Sequence, residues 1–178
     1  MAAHIPLVSI ITAVRNGMPF LADNLESVAS QTYPAIEHWL IDGGSTDGTL
    51  HVIRTWQTSL TGWVSEPDCG IADAFNKGLA RARGEYIMFL NADDALAAPS
   101  AISALITAAR ASNWPDVLYG DCDLVDRQTG KFLYRHAGVQ PSPIFALFDS
   151  PASQHADAPA LFRALWPVRH LLSYRHGL

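Results

Sequence analysis

The sequence predicts an α/β fold, a mostly parallel sheet flanked by helices. Three observations carry this prediction. Short apolar runs rich in β-branched residues alternate with segments whose apolar residues recur at helical spacing. One run, "EYIMFL" at 85–90, is apolar without alternation, as expected of a strand buried on both faces. Polar clusters follow strand after strand, which gathers them on one edge of such a sheet, where ligands bind.

The elements follow in order. "LVSIITAV" (7–14) reads as the first strand, and "RNGMPF" after it supplies turn chemistry, with Pro19 near a helix start. Leu21, Leu25 and Val28 form the apolar face of that helix. "IEHWLI" (36–41) is the second strand; in "DGGSTDGT" after it, Ser45 is the expected cap of the next helix. Leu50, Ile53 and Trp56 then make a helical stripe, and "GWVSE" (62–66) a short third strand. In the helix of 70–84, Ile71, Phe75, Gly78, Leu79 and Ala82 share one face. After the fourth strand come a helix from about Pro99 to Ala111, a fifth strand at 116–120, and a hairpin over 123–134 turning at Arg127 to Gly130.

Composition narrows the function. The chain has 178 residues, a net charge of −5 and a pI near 5.7. That length fits one domain, and that charge opposes nonspecific binding to nucleic acid or an anionic membrane surface. The two cysteines, Cys69 and Cys122, lack zinc-site or disulfide-framework spacing. No run reaches the ~18 apolar residues of a membrane span, and no leader pattern is present. A cytoplasmic protein is the expectation.

Four polar clusters converge on the predicted edge: "RNG", "DGGSTDG", "EPDCG" and "NADD". The last sets adjacent carboxylates, Asp93 and Asp94, at the end of a buried strand. A hard cation, Mg²⁺ or Mn²⁺, would offset their repulsion; capping of the following helix is the other reading. "DGGSTDGT" admits a nucleotide held by Asp42 and backbone N–H groups, or a plain turn; it has neither dinucleotide nor P-loop spacing. Asp73, Asn76 and Lys77 lie on one helix face, as a solvated face with an Asp73–Lys77 pair or as a wall of a donor pocket with Asp68.

Taken together, "VSIITAVRNG", "SVASQTYPAIEHWLIDGGSTDGT", "SEPDCGIADAFNKGLARARGEYIMFLNADD" and "DVLYGD" resemble family 2 glycosyltransferases, inverting, nucleotide-sugar-dependent enzymes of the GT-A fold. The resemblance covers about residues 5 to 135. It implies a donor-binding core over 1–135 and, in the same domain, an acceptor-side segment and atypical tail over 136–178. Thr12, Val14 and Arg15 match the segment contacting the base, and Asp42 the acidic position holding a uridine-like moiety. Asp68, Asp73 and Asn76 match the segment lining the nucleotide-sugar. "NAD" stands for the usual D-x-D, with Asn91 in place of its first aspartate; Asp93 and Asp94 would hold Mg²⁺ or Mn²⁺ on the diphosphate. The implied partners are a UDP-type sugar donor and a saccharide or lipid-linked acceptor, in cell-surface polysaccharide or glycolipid synthesis, with peripheral contact at the inner membrane face.

The family's catalytic base lies in a later segment, and no Asp or Glu follows Asp157 here. The acceptor half is therefore expected to be truncated or altered, and the catalytic residue is unassigned; Asp149 and Asp157 are the candidates. A remnant that binds nucleotide-sugar without transfer is the alternative expectation. A nucleotidyltransferase ranks lower, because "AVRNGMPF" is neither glycine-rich nor basic enough for a triphosphate loop.

Overall fold

The computed structural model describes residues 4–126, 129–136 and 146–149. Its elements are β1 (Val8–Val14), α1 (Leu21–Ala29), β2 (Ile36–Asp42), α2 (Thr49–Trp56), β3 (Gly62–Ser65), α3 (Ile71–Leu79), β4 (Tyr86–Phe89), α4 (Ala101–Ala111), β5 (Val117–Tyr119), β6 (Cys122–Val125), β7 (Phe132–His136) and β8 (Ala146–Asp149). The main sheet has the order β3-β2-β1-β4-β8-β5. β3, β2, β1 and β4 run parallel, and β8 is antiparallel to both its neighbours.

The period-two alternation of β1 splits the core in two. Val8 and Ile10 join Tyr86, Met88, Leu90 and the α4 residues Ile102 and Ile106. Ile11 and Ala13 point the other way, to Ala74 and Phe75 of α3 and to Ile87 and Phe89. Val14 closes a third cluster with Leu21, Leu25, Leu40 and Ile53, which seats α1 and α2 on the first face. All four β4 residues are buried, as its unbroken apolar run requires. Ile10, Ile11, Leu40 and Met88 are fully buried, and each such side chain contributes roughly 1.5–3 kcal/mol.

The N-terminal end of the sheet is fastened by a buried carboxylate. Glu37 accepts from Ser9 Oγ at 2.5 Å and from the Arg83 backbone N–H at 2.5 Å, while Gly84 N donates to Ser9 Oγ at 2.7 Å. A Cβ at Gly84 would lie 2.6 Å from Ser9 N and 2.8 Å from Leu7 O, so only glycine lets the α3–β4 link cross this close to β1. The opposite, C-terminal end is thereby left to the loops.

The structure corrects several expectations. β8 was not foreseen: a short run at 146–149 slots between β4 and β5 and separates them. Ile71 is 48% exposed rather than part of the apolar face of α3, which begins at this residue and buries Ala74, Phe75 and Gly78. Ser45 does not cap α2, which starts four residues later, at Thr49; Asp47 Oδ1 accepts from Thr49 N instead, at 3.1 Å. The hairpin of β6 and β7 forms where expected. Residues 137–145 and 150–178 of the expected acceptor-side segment, Asp157 among them, lie outside the described residues, and the side chains of 136 and 146–149 outside the described side chains.

Candidate functional site

At the C-terminal edge the loops after β1 and β2 are clasped together. Gly43 N donates to Val14 O at 2.9 Å, Asn16 N to Ser45 Oγ at 2.8 Å, and Gly17 N to Thr49 Oγ1 at 2.8 Å. The Asn16 side chain returns the contact, its Oδ1 accepting from Thr46 N at 2.9 Å. Arg15 is exposed on this rim. The other two β1 residues do not reach it: Val14 packs in the core, and Thr12 is wholly buried, its hydroxyl 3.0 Å from His38 Nε2 and 3.4 Å from Asn24 Oδ1.

Asp42 is also wholly buried. Its carboxylate accepts from the Ser45 hydroxyl, from Ser45 N at 3.3 and 3.2 Å, and from Ser65 Oγ at 2.6 Å, which ties the end of β2 to the end of β3. Asp68 lies nearer the surface, against Gly43, with one oxygen accepting from Gly70 N at 2.9 Å. Lys77 staples this loop to α3: its ammonium is 3.0 Å from Glu66, 3.3 Å from Asp73 and 3.2 Å from Pro67 O. The Cys69 backbone N–H, then Lys77, hold the Asp73 carboxyl below the usual carboxylate range. The Asp73–Lys77 pair thus forms as the spacing predicts, and Asn76 beside it is exposed.

The acidic cluster ends β4 as a tight turn. Asp94 N donates to Asn91 O at 3.0 Å, and Asn91 Nδ2 donates to Asp94 Oδ2 at 2.9 Å. Asp93 is exposed and Asp94 half-buried. Neither caps α4, which begins at Ala101 with Ser100 at its N-cap position. Burial, then the negative charges of Asp94 and Asp123, push the Cys122 thiol up.

Sequence reading saw only the apolar stripe of α1 and missed its polar one. Asn24, Ser27 and Gln31, at i, i+3 and i+7, all bond the segment from Asn91 to Ile102. Asn24 Nδ2 donates to Asn91 O and Asp94 O, both at 2.9 Å. Ser27 Oγ accepts from Leu96 N at 3.0 Å; Gln31 donates to Ala98 O at 2.7 Å and accepts from Ile102 N at 3.1 Å. That second helical period within "NLESVASQ" was the available signal.

Two carboxylates on an open turn suit a hard divalent cation that completes its shell with substrate phosphate and water. No group of three or more His, Cys, Asp or Glu gathers as a metal site among the described residues, so a closed protein cage is not formed by them. The edge is acidic, with Asp47, Glu66, Asp68, Asp73, Asp93 and Asp94 against Arg15 and Lys77. A diphosphate settling there needs a bridging cation to offset like charge.

The profile of glycosyl transferase family 2 matches residues 9–163. The chain belongs to this family. An uncharacterised glycosyltransferase of Mycobacterium tuberculosis is 36% identical over 104 residues, 58% of this chain and 40% of that protein. A PGL/p-HBAD biosynthesis glycosyltransferase of Mycobacterium bovis is 34% identical over 119 residues, 65% of this chain and 46% of its own length. The chain thus spans less than half the length of these family relatives. Among solved structures, the mannosyltransferase PcManGT of Pyrobaculum calidifontis, in complex with GDP-Man and Mn²⁺, superposes with a TM-score of 0.54 at 30% identity, over 70% of this chain and 37% of that one. The fold is that of the GT-A glycosyltransferases. No helix among the described residues is long and apolar enough to cross a membrane.

Proposed function

We propose that this chain binds a nucleotide-diphosphate sugar at the C-terminal edge of its sheet and transfers the sugar, with inversion, to an acceptor hydroxyl. The observation that carries this reading is the Asn91–Asp94 turn, whose carboxylates end β4 without capping α4. Asp93 and Asp94 would hold Mg²⁺ or Mn²⁺. The cation supplies stabilisation of the negative charge that builds on the diphosphate as it leaves.

The chain's own residues divide the remaining work. Asp68, Asp73, Asn76 and Arg15 line the rim on either side of the nucleotide. Thr12, Val14 and Asp42 act from beneath it, through the strand ends and loops they fix. The end of β2 offers no open carboxylate at Asp42, which Ser45 and Ser65 already engage. Inversion needs a carboxylate to take the acceptor's proton on the face opposite the diphosphate. Asp149 pairs through its backbone with Tyr86, Asp157 lies outside the described residues, and the base is unassigned. Cell-surface glycolipid or polysaccharide synthesis is the process we infer, from the relative named for PGL/p-HBAD biosynthesis.

Thermal denaturation with UDP or GDP, with and without Mn²⁺, tests the reading. A ligand at a hundred times its Kd stabilises by about 2.7 kcal/mol. The expected result is stabilisation that requires both nucleotide and metal and is lost in the Asp93→Ala, Asp94→Ala double variant. Equal stabilisation without metal defeats it. Sugar release to water without transfer to any saccharide or lipid acceptor would favour a donor-binding remnant.

A further inference from the structure

We propose that Asn24 is a positioning residue for the carboxylates of the Asn91–Asp94 turn, acting through the turn's backbone. This rests on the reading of Asp93 and Asp94 given above. The two carbonyls that Asn24 engages bracket Asp93, one on each side. Both N–H groups of one amide nitrogen, which lies 2.9 Å from each oxygen, therefore set the spacing of the turn's ends. Within the turn, Asn91 Nδ2 fixes the Asp94 carboxylate by its own 2.9 Å bond. Asn24 thus determines where that carboxylate faces without touching it.

Asn24 is in turn held from behind. It is 1% exposed and packs among α1 residues buried against the sheet. Its Oδ1 faces the Thr12 hydroxyl, which faces His38 Nε2. These contacts are mutually satisfied when His38 donates to Thr12, Thr12 to Asn24 Oδ1, and Asn24 to the two carbonyls. That orientation is the only one in which a neutral imidazole, a single hydroxyl hydrogen and one amide serve every contact. The chain fixes the amide's direction, and through it the turn. It also gives the buried Thr12 hydroxyl a role, support of the acidic turn from inside.

Only a side chain with two N–H groups on one nitrogen serves both carbonyls from this depth. Alanine leaves both without that partner, and aspartate sets lone pairs against them. Ser27 lies one turn along the same helix and holds Leu96 N, beyond the carboxylates. Its hydroxyl, which also donates to Asn24 O at 2.8 Å, ties α1 to the same segment but engages neither carbonyl of the turn.

Mn²⁺-dependent UDP binding to the full 178-residue chain, followed by calorimetry, separates the two. Asn24→Ala is expected to weaken it at least tenfold. Ser27→Ala is expected to lower the melting temperature comparably and leave the affinity within twofold. If Asn24→Ala does not fold, Asn24→Ser, which keeps one hydroxyl donor in a smaller side chain, is read in its place with the same expectation. Affinity unchanged in the Asn24 variant, or lost equally in Ser27→Ala, overturns the positioning role while leaving the metal site standing. Absence of Mn²⁺-dependent binding in the unmutated chain overturns both.

Discussion

The Asp68 carboxylate lies where a side chain at Gly43 would stand: a Cβ built on Gly43 would overlap Asp68 Oδ2 and sit 2.8 Å from its Cγ. The loop after β3 therefore delivers its carboxylate into the end of β2, at the place that glycine leaves open. Asp42, one residue earlier, is turned inward and occupied. The acidic group presented at this junction is thus Asp68.

Gly43→Ala should displace Asp68 at little cost to the fold, since the clash is with the free end of a short side chain. Stability should fall by less than about 1 kcal/mol. Nucleotide affinity should fall roughly tenfold, as in Asp68→Ala, and the double variant should bind no worse than Asp68→Ala alone. Calorimetric titration with UDP and Mn²⁺ on the three variants checks this. Full affinity in Gly43→Ala would separate Asp68 from the donor site.

Legibility in the sequence followed how local each cause was. β1, β2 and β4 were readable because their apolar runs encode burial directly, and the parallel order followed from the helices between them. The Asp73–Lys77 pair was readable because helical spacing alone brings the two together. β8 was not, since 146–149 is a strand only through pairing with β4 and β5, which lie roughly thirty to sixty residues away in the chain. The buried state of Thr12 and Asp42 was equally hidden. Their partners, Asn24 and Ser65, lie in other elements, and only the fold brings them together.

His38 gives the fold a pH dependence of definite sign. Full burial lowers its pKa from 6.5 to about 4. Between those values the unfolded chain binds a proton that the folded chain refuses, so stability rises with pH across that window. The contribution is fully present above pH 6.5 and is lost as pH falls towards 4; at pH 5 the loss is about 2 kcal/mol. Urea unfolding at pH 7.5 and pH 5 measures it. His38→Gln should remove this part of the slope, and an unaltered slope would assign the dependence to other groups.

Asn16 combines a backbone requirement with a bond, and three substitutions separate them. Its φ of 53° lies in the left-handed region, where asparagine is tolerated better than other non-glycine residues. Its Oδ1 is one of the bonds that clasp the β1 loop to the β2 loop. Asn16→Asp keeps the acceptor and should stay within about 0.5 kcal/mol of the parent. Asn16→Gly keeps the conformation and loses the bond, at a cost of about 1 kcal/mol. Asn16→Ala loses the bond and adds the left-handed penalty, for a further 1 kcal/mol or so. Urea unfolding ranks the three. Equal losses in the glycine and alanine variants would mean that the loop relaxes its φ when the bond is cut; a glycine variant as stable as the parent would mean that the clasp holds without Asn16.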